Sequence, residues 1–420
     1  MARPGQVHIV GAGLAGLSAA LQLCLSGHKV TLYEAAPFAG GRCRSFMDRD
    51  LGCRIDNGNH LVLSGNVAVY DYLFLSKALE TMGGPKEPIF PFMDLDSGER
   101  WIAHPNNSKF PWWIFDKNRR VAGTTPTDYL SGIGIMLAGE DDTVGQHLDK
   151  NTRIYRRFWE PFVIGALNTE PDIASAKLLA TILKQSFALG GRACVPLIPK
   201  VGLSETFIDP CLGVLANNGV EVCYNHRLRS ITLDGDTIRG LNFANQSVDV
   251  AADDWVIMAL PAWVTRQILP DISTPTEFRS IINAHYRVAV PNNHAGFTGM
   301  IGGVAEWAFS RDEVVSVTVS CAERYDDHAV RDLVPHIWND LAKLYDLDPA
   351  KLPPHRIFKE KFATFAATPT QNALRPRAFT QWNNLALAGE WTATGLPSTI
   401  EGALRSGVKA AQIVMRWTEN

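Results

Sequence analysis

The sequence has no surplus of positive charge: 40 Lys and Arg stand against 43 Asp and Glu, a formal net charge of −3. Without a basic excess to neutralise phosphates, nucleic acid is not an expected partner. It has no CxxC pair either. Its seven cysteines, Cys24, Cys43, Cys53, Cys194, Cys211, Cys223 and Cys321, are odd in number and scattered. That argues against a disulfide framework or a zinc site, so no metal is expected, and for a reduced, cytoplasmic compartment. Long hydrophobic runs are missing too. Met1 to Gly5 are polar or small, Val7–Val10 is too short for the core of a secretory leader, and the apolar stretch Ile133–Ala138 stops at Gly139 and Glu140. No segment is expected to span a bilayer. Internal repeats and low-complexity tracts are absent. What is present, in 420 residues that are 46% hydrophobic and 20% charged, is material for a large core and two or three domains.

The N-terminus carries the first informative pattern. Val7–Val10 is a short apolar, β-branched run that reads as a buried parallel strand. Gly11-Ala12-Gly13-Leu14-Ala15-Gly16 follows at once, then Leu17, Ala20, Leu21 and Leu25 at helical spacing, with Gly27 as a C-cap. His28–Tyr33 reads as a second strand ending at Glu34. Gly11 permits the tight turn, Gly13 lets the backbone approach a pyrophosphate, and Gly16 lets helix and strand pack closely. The helix N-terminus offers free N–H groups to phosphates. Glu34 stands where a carboxylate accepts hydrogen bonds from a ribose diol. The spacing alone is common; the ordered strand, fingerprint, helix, strand and acid are not.

Ala39-Gly40-Gly41-Arg42-Cys43-Arg44-Ser45 comes next. A glycine pair with Arg42 suits a second approach to the cofactor diphosphate; alone, it reads equally as a turn with solvated arginines. Together with the fingerprint and Glu34, this segment resembles the FAD-containing amine oxidase and phytoene desaturase superfamily. The resemblance extends to Leu385–Trp391 and to Pro397–Ala403, which opens a helix running through Gly407 and Ala411. It implies an α/β (α+β) fold: a discontinuous, Rossmann-like FAD-binding domain from about residues 1–66, 200–290 and 377–420, and an inserted substrate-binding domain from about 67–199 and 291–376. It also implies FAD contacts: Gly11, Gly13, Leu14, Ala15 and Gly16 at the fingerprint; Gly41 and Arg42 at the diphosphate; Asn57, Gly58, Asn59 and His60 near the flavin. Leu228, in the segment after Gly219–Val222, falls where family members bring strand backbone to adenine, and Val256–Leu260 where the chain returns to the FAD domain. Gly389 and Glu390 would meet the diphosphate and ribityl chain, and Thr399, Ile400 and Glu401 the pyrimidine edge.

A finer resemblance rests on Asp56–Asn66, Arg157–Phe162, Ala166–Thr169, Ala174–Ala176, Gly202–Phe207, Ala363–Pro369 and Gly389–Gly402. This set is similar to the squalene-associated FAD proteins of hopanoid biosynthesis, the hydroxysqualene dehydroxylases. Glu390 departs from it, since Asp is expected after the glycine; both are carboxylates. The resemblance implies reduction of hydroxysqualene to squalene with hydride from flavin N5, in an apolar tunnel, and prenyl synthases as pathway neighbours. It names no reductant, and no second GxGxxG unit is present for NAD(P)H.

The candidates for chemistry each have a plain alternative. His60, helped by Asp56 or Asn57, would handle a proton with an imidazole titrating near neutral pH; otherwise it is a histidine held by loop backbone. Glu160, Asn168 and Glu170 would orient the hydroxyl or supply the proton; otherwise they cap helices or carry surface charge. Arg157 could pair with Glu160 at i,i+3. Trp112, Trp113 and Phe115 beside Lys109, Arg119 and Arg120 read as a membrane-facing mouth through which squalene-like molecules enter, with peripheral association with the inner membrane, or as core aromatics beside solvated charges. Phe158, Trp159 and Phe162 line a tunnel or pack a core. Cys194 reads as structural. Three rival functions stay open: a carotenoid-type desaturase with the opposite hydride flow, a flavin amine oxidase, and a non-catalytic FAD-bound lipid carrier.

Overall fold

The structure is a computed structural model that describes residues 5–291 and 295–419; the Met1–Pro4 part of the leader reading lies outside it. The first strand, Gln6–Val10, sits at the centre of a five-stranded parallel sheet. The order across the sheet is Glu221–Cys223, Lys29–Tyr33, Gln6–Val10, Trp255–Met258 and Leu385–Leu387, with every neighbour parallel. Val7, Ile9, Val256, Ile257 and Leu385 are fully buried, as strands covered on both faces require. The fingerprint helix Leu14–Leu25 and the C-terminal helix Ile400–Glu419 pack together. Gly407 makes their close crossing possible: a Cβ there would lie 2.2 Å from the Ala15 carbonyl oxygen. Gly27, at φ +81°, ends the fingerprint helix, and its N–H bonds the Cys24 carbonyl at 3.0 Å.

The Gly219–Ile231 region forms two different strands. Glu221–Cys223 joins the parallel sheet, while Leu228–Asp234 opens an antiparallel meander with Thr237–Phe243 and Ser247–Asp249.

A seven-stranded sheet forms the second centre. Its order is His355–Phe365, Phe278–Arg287, Val314–Val319, Trp307–Arg311, Phe297–Ile301, Phe90–Asp94 and Arg100–Ala103. The strand Phe278–Arg287, expected with the cofactor-binding segments, is hydrogen-bonded here. Strand alternation gives this sheet two unlike faces. Ile282, Ala284, Tyr286, Val315 and Val317 pack on the helix Val334–Tyr345. Ile281, Asn283, Thr318, Trp307, Phe309 and Glu360 face the other way, into a cavity. The far wall of that cavity comes from the helical segment between Trp112 and Ala193, including a π-helical turn at Tyr155–Trp159 that runs into the helix Glu160–Leu167. Among the described residues, no helix is long and apolar enough to cross a membrane.

Candidate active site

The three fingerprint glycines do three different things. Gly11 has φ +110° and its absent side chain would meet the Ala259 carbonyl oxygen at 2.4 Å. At Gly16 a Cβ would lie 1.9 Å from the Gly11 carbonyl oxygen, so the helix and turn close on one another. At Gly13 a Cβ would meet nothing within 4 Å, so its backbone borders open space. Gly40 and Gly41, both at positive φ, lie alongside: the Gly40 N–H donates to the Ala12 carbonyl at 2.8 Å. Both Glu34 carboxylate oxygens accept backbone N–H groups, from Ala12 and from Ala36, each at 2.8 Å. That leaves further lone pairs for a ribose diol. The His226 N–H donates to the Glu34 carbonyl at 2.8 Å, which draws the buried Leu228 segment to the same edge.

Arg42 and Glu390 are joined to each other. Arg42 Nη2 donates to Glu390 Oε1 at 2.5 Å, and Nη1 donates to the Ala363 carbonyl at 2.7 Å. Gly389, at φ +151°, has no room for a Cβ, which would sit 2.3 Å from Trp391 Nε1. Arg42 also lines the cavity of about 340 Å³ below the seven-stranded sheet. Ser398, Thr399, Ile400 and Glu401, the start of the 20-residue C-terminal helix, form another part of its wall. Thr399 Oγ1 caps that helix by accepting the Gly402 N–H at 3.0 Å. The positive end of the helix dipole therefore meets the cavity. The rest of the wall carries seven aromatic side chains, Phe90, Phe92, Phe158, Phe162, Phe187, Trp307 and Phe309, set among aliphatic residues and polar groups such as Asn66, Asn283 and Thr318.

Asn57, Gly58, Asn59 and His60 all line the cavity. They are knitted to the large sheet: Asn283 Nδ2 donates to the Asn57 carbonyl at 3.2 Å, and Asn59 Nδ2 to Thr318 Oγ1 at 3.0 Å. His60 does not titrate near neutral pH. Burial pushes its imidazole down to about 4 against the opposing pull of Asp56, with Arg42 adding to the fall. Asp56 itself is buried and bound to Arg311 at 2.9 Å, Ser45 and Leu203.

The structure brings Asn168 to the cavity but occupies its amide. Nδ2 donates to Thr364 Oγ1 at 3.0 Å, and Oδ1 accepts the Cys321 N–H at 2.7 Å. Asn168 has φ +47° at the end of the helix Glu160–Leu167, a left-handed conformation that Asn tolerates. Glu160 and Glu170 are not among the lining residues. Burial raises the Glu160 carboxyl, opposed by Arg324 and Arg156. The Arg157–Glu160 pair is not formed. Arg157 is buried, stacks over Trp101 at 5.0 Å and pairs with Glu99 at 2.5 Å. Phe158 and Phe162 line the cavity, whereas Trp159 is buried in the core and donates to Ser131 Oγ at 3.0 Å. Burial pushes the Cys194 thiol up to about 12, in keeping with a structural role.

A family model described as flavin containing amine oxidoreductase matches residues 14–415. A hydroxysqualene dehydroxylase from Sinorhizobium fredii is 42% identical over 99% of this chain and 99% of its own. One from Rhodopseudomonas palustris is 42% identical over 97% of this chain and 98% of its own. The chain belongs to the flavin containing amine oxidoreductases, and among them to the hydroxysqualene dehydroxylase family. It is a flavin-dependent oxidoreductase. The solved structure of cyclohexylamine oxidase from Brevibacterium oxydans shares the fold, with a TM-score of 0.72 at 15% identity over 99% of this chain and 100% of that one.

The residues present fit a flavin. Open space at Gly13, a free-sided Glu34 carboxylate and a capped helix N-terminus at the cavity wall are what a dinucleotide and an electron-accepting ring need. Among the cavity residues not anticipated from the sequence, along with Phe90, Phe92, Phe187, Trp307 and Phe309, is a carboxyl group, Glu360. It lies opposite Ile281 in the sheet, on the cavity side, and its side chain makes no hydrogen bond or ion pair among the described residues. The other carboxyl group on the wall, Glu401, is bound to the Ala68 and Val69 N–H groups at 3.1 and 2.9 Å and to Arg405 at 2.6 Å. No alternation marks Glu360 in the sequence, where it stands between Lys359 and Lys361 in a charged run.

Proposed function

We propose that this chain binds FAD along Gly11–Gly16, Glu34, Gly41 and Leu228, and reductively removes the allylic hydroxyl of hydroxysqualene to give squalene and water. Bound reduced flavin would supply the hydride. The observation that carries the reading is the aromatic cavity that ends at the C-terminal helix N-terminus and Arg42. A long hydrocarbon suits such walls. Heterolysis of the allylic C–O bond leaves a delocalised cation, which the faces of Phe158, Phe162 and Trp307 stabilise. The leaving oxygen needs a proton. His60 is held neutral at physiological pH, so it serves as a hydrogen-bond partner that orients the hydroxyl. Glu360, the carboxyl group on the wall without a protein partner, is assigned to the proton. Asn168 holds Thr364 and Cys321 in place. The aromatic lining also excludes water, which would otherwise quench the cation and regenerate an alcohol.

The test is anaerobic. Photoreduced protein is mixed with hydroxysqualene while the flavin absorbance and the extracted lipid are followed together. Squalene appearing in step with flavin reoxidation supports the reading. Reduced flavin with unchanged alcohol refutes it, and desaturated products from oxidised protein and a polyene would establish the opposite hydride flow.

A further inference from the structure

The outer surface beyond the cavity's aromatic wall is apolar where water should be. Along Leu130–Leu137 the residues at helical spacing that face outward are Leu130, Ile133 and Leu137, exposed by 60, 49 and 81%. The inward side is ordinary core: Ile135 is fully buried, and a Cβ on Gly132 would touch Trp159 at 3.2 Å. A solvent-facing helix normally reverses this pattern. The neighbouring turn repeats it. Phe110 and Phe115 stack on each other at 6.3 Å and are 66 and 60% exposed, while Trp113 goes inward onto Tyr129 at 5.2 Å. The Asn106 amide holds this turn rigid by donating to Ser108 and Phe110 and accepting the Trp113 N–H. Backbone of the same turn meets Gly190 and Gly191. The single turn Phe187–Leu189 spans the wall between the two regions: Phe187 lines the cavity and Leu189 is exposed.

Basic groups lead around the aromatic turn, with Lys109, Lys117, Arg119 and Arg120 against Asp116, while Asp128, Glu140 and Asp141 flank the helical stretch. Lys109 and Lys117 are exposed with no acidic partner among the described residues. Arg119 lies over Trp112 at 4.9 Å and bonds the His104 carbonyl, and Arg120 bonds the Thr124 carbonyl. Asp116 and Asp128 each accept a local backbone N–H, and neither forms an ion pair with these cations among the described residues. Aromatic and aliphatic side chains projecting together beside unpaired lysines match the headgroup boundary of an anionic bilayer. The exposed lysines favour lipid over a partner protein, because lysine is depleted at protein interfaces and attracted to anionic headgroups.

We propose that Phe110, Trp112, Phe115, Leu130, Ile133 and Leu137 form a monotopic docking surface for anionic lipid, which seats the Phe187–Leu189 wall of the cavity against the hydrocarbon. The reading of the substrate as a long hydrocarbon gives this surface its purpose, but the test does not depend on turnover. Flavin-loaded full-length protein is floated with vesicles of phosphatidylcholine alone or with about 30% phosphatidylglycerol. The expected result is binding to the anionic vesicles that weakens with salt. The triple variant Phe110→Ser/Trp112→Ser/Phe115→Ser is expected to bind at least about tenfold more weakly, and Lys109→Glu/Lys117→Glu to lose the preference for phosphatidylglycerol. An unchanged flavin spectrum and melting temperature show that these variants are folded; Leu137→Ser, at the most exposed position, provides a milder second test. Absence of vesicle binding by the unaltered protein, or equal binding by the variants, overturns the proposal. So does a stable dimer that the triple variant converts to monomer, since the surface would then be covered by a second copy.

Discussion

Two glycines three residues apart should fail for opposite reasons. Gly16→Ala puts a methyl 1.9 Å from the Gly11 carbonyl oxygen and 3.1 Å from its carbon. These are backbone atoms in a tight turn, so no side chain can swing away. Overpacking of a core typically costs about 1–3 kcal/mol, and a backbone obstruction belongs at or above the top of that range. Gly13→Ala meets nothing within 4 Å, and Gly13 has φ −74° and ψ 177°, which alanine adopts freely. Alanine restricts the unfolded chain, stabilising by about 0.4–1 kcal/mol, but is a poorer N-cap by a similar amount. The net effect on the apoprotein is therefore within about 0.5 kcal/mol of zero. On the proposed flavin-binding reading, the new methyl instead fills the open space that the diphosphate would enter. Losing one charge-assisted hydrogen bond of about 1.5–3 kcal/mol weakens flavin binding roughly 10- to 150-fold. Thermal unfolding of both apoproteins, then flavin titration of whichever folds, separates the two. The reasoning is refuted if Gly13→Ala melts as early as Gly16→Ala, or if it binds flavin as tightly as the unaltered protein.

Asn168→Ala removes partners from Thr364 and Cys321 and strains a left-handed residue, so a loss of about 2–4 kcal/mol in unfolding free energy is expected; native stability with slow turnover would instead place Asn168 in the chemistry. Glu360→Gln should cut turnover about 100-fold while leaving the flavin spectrum unchanged, whereas Glu401→Gln should chiefly lower the melting temperature by weakening the contact to Ala68, Val69 and Arg405; equal turnover in Glu360→Gln refutes the assignment. His60 and His285 are both pushed down to about 4 from 6.5 by burial. Below pH 6.5 the unfolded chain takes up protons that the folded chain refuses, so stability present above 6.5 is lost as pH falls towards 4, at up to about 1.4 kcal/mol per pH unit for each histidine. Denaturation at a series of pH values checks this, and His60→Gln should flatten the slope.

What could be read from the sequence was chemistry carried by neighbouring residues. The tight turn at Gly11, the open space at Gly13, the close packing at Gly16 and the Glu34 carboxylate beside them fall within Gly11–Glu34, and each glycine's job follows from its lack of a side chain. What could not be read depends on long-range register or on an altered helical period. Glu360 reaches the cavity only because its strand pairs with Ile281 across a bulge. Arg157 does not meet Glu160 because Tyr155–Trp159 is a π-helical turn. Its wider repeat breaks the i,i+3 relation that an α-helix would impose, and turns the guanidinium inward onto Trp101 and Glu99. The same turn accounts for the split among Phe158, Trp159 and Phe162: Phe158 and Phe162 stack at 5.7 Å on the cavity side while Trp159 goes to the core. His60 failed in a different way, since its position was legible and its protonation was not. An imidazole's charge at neutral pH is decided by desolvation, and desolvation belongs to the assembled cavity rather than to Asp56 and Asn57 beside it in the chain.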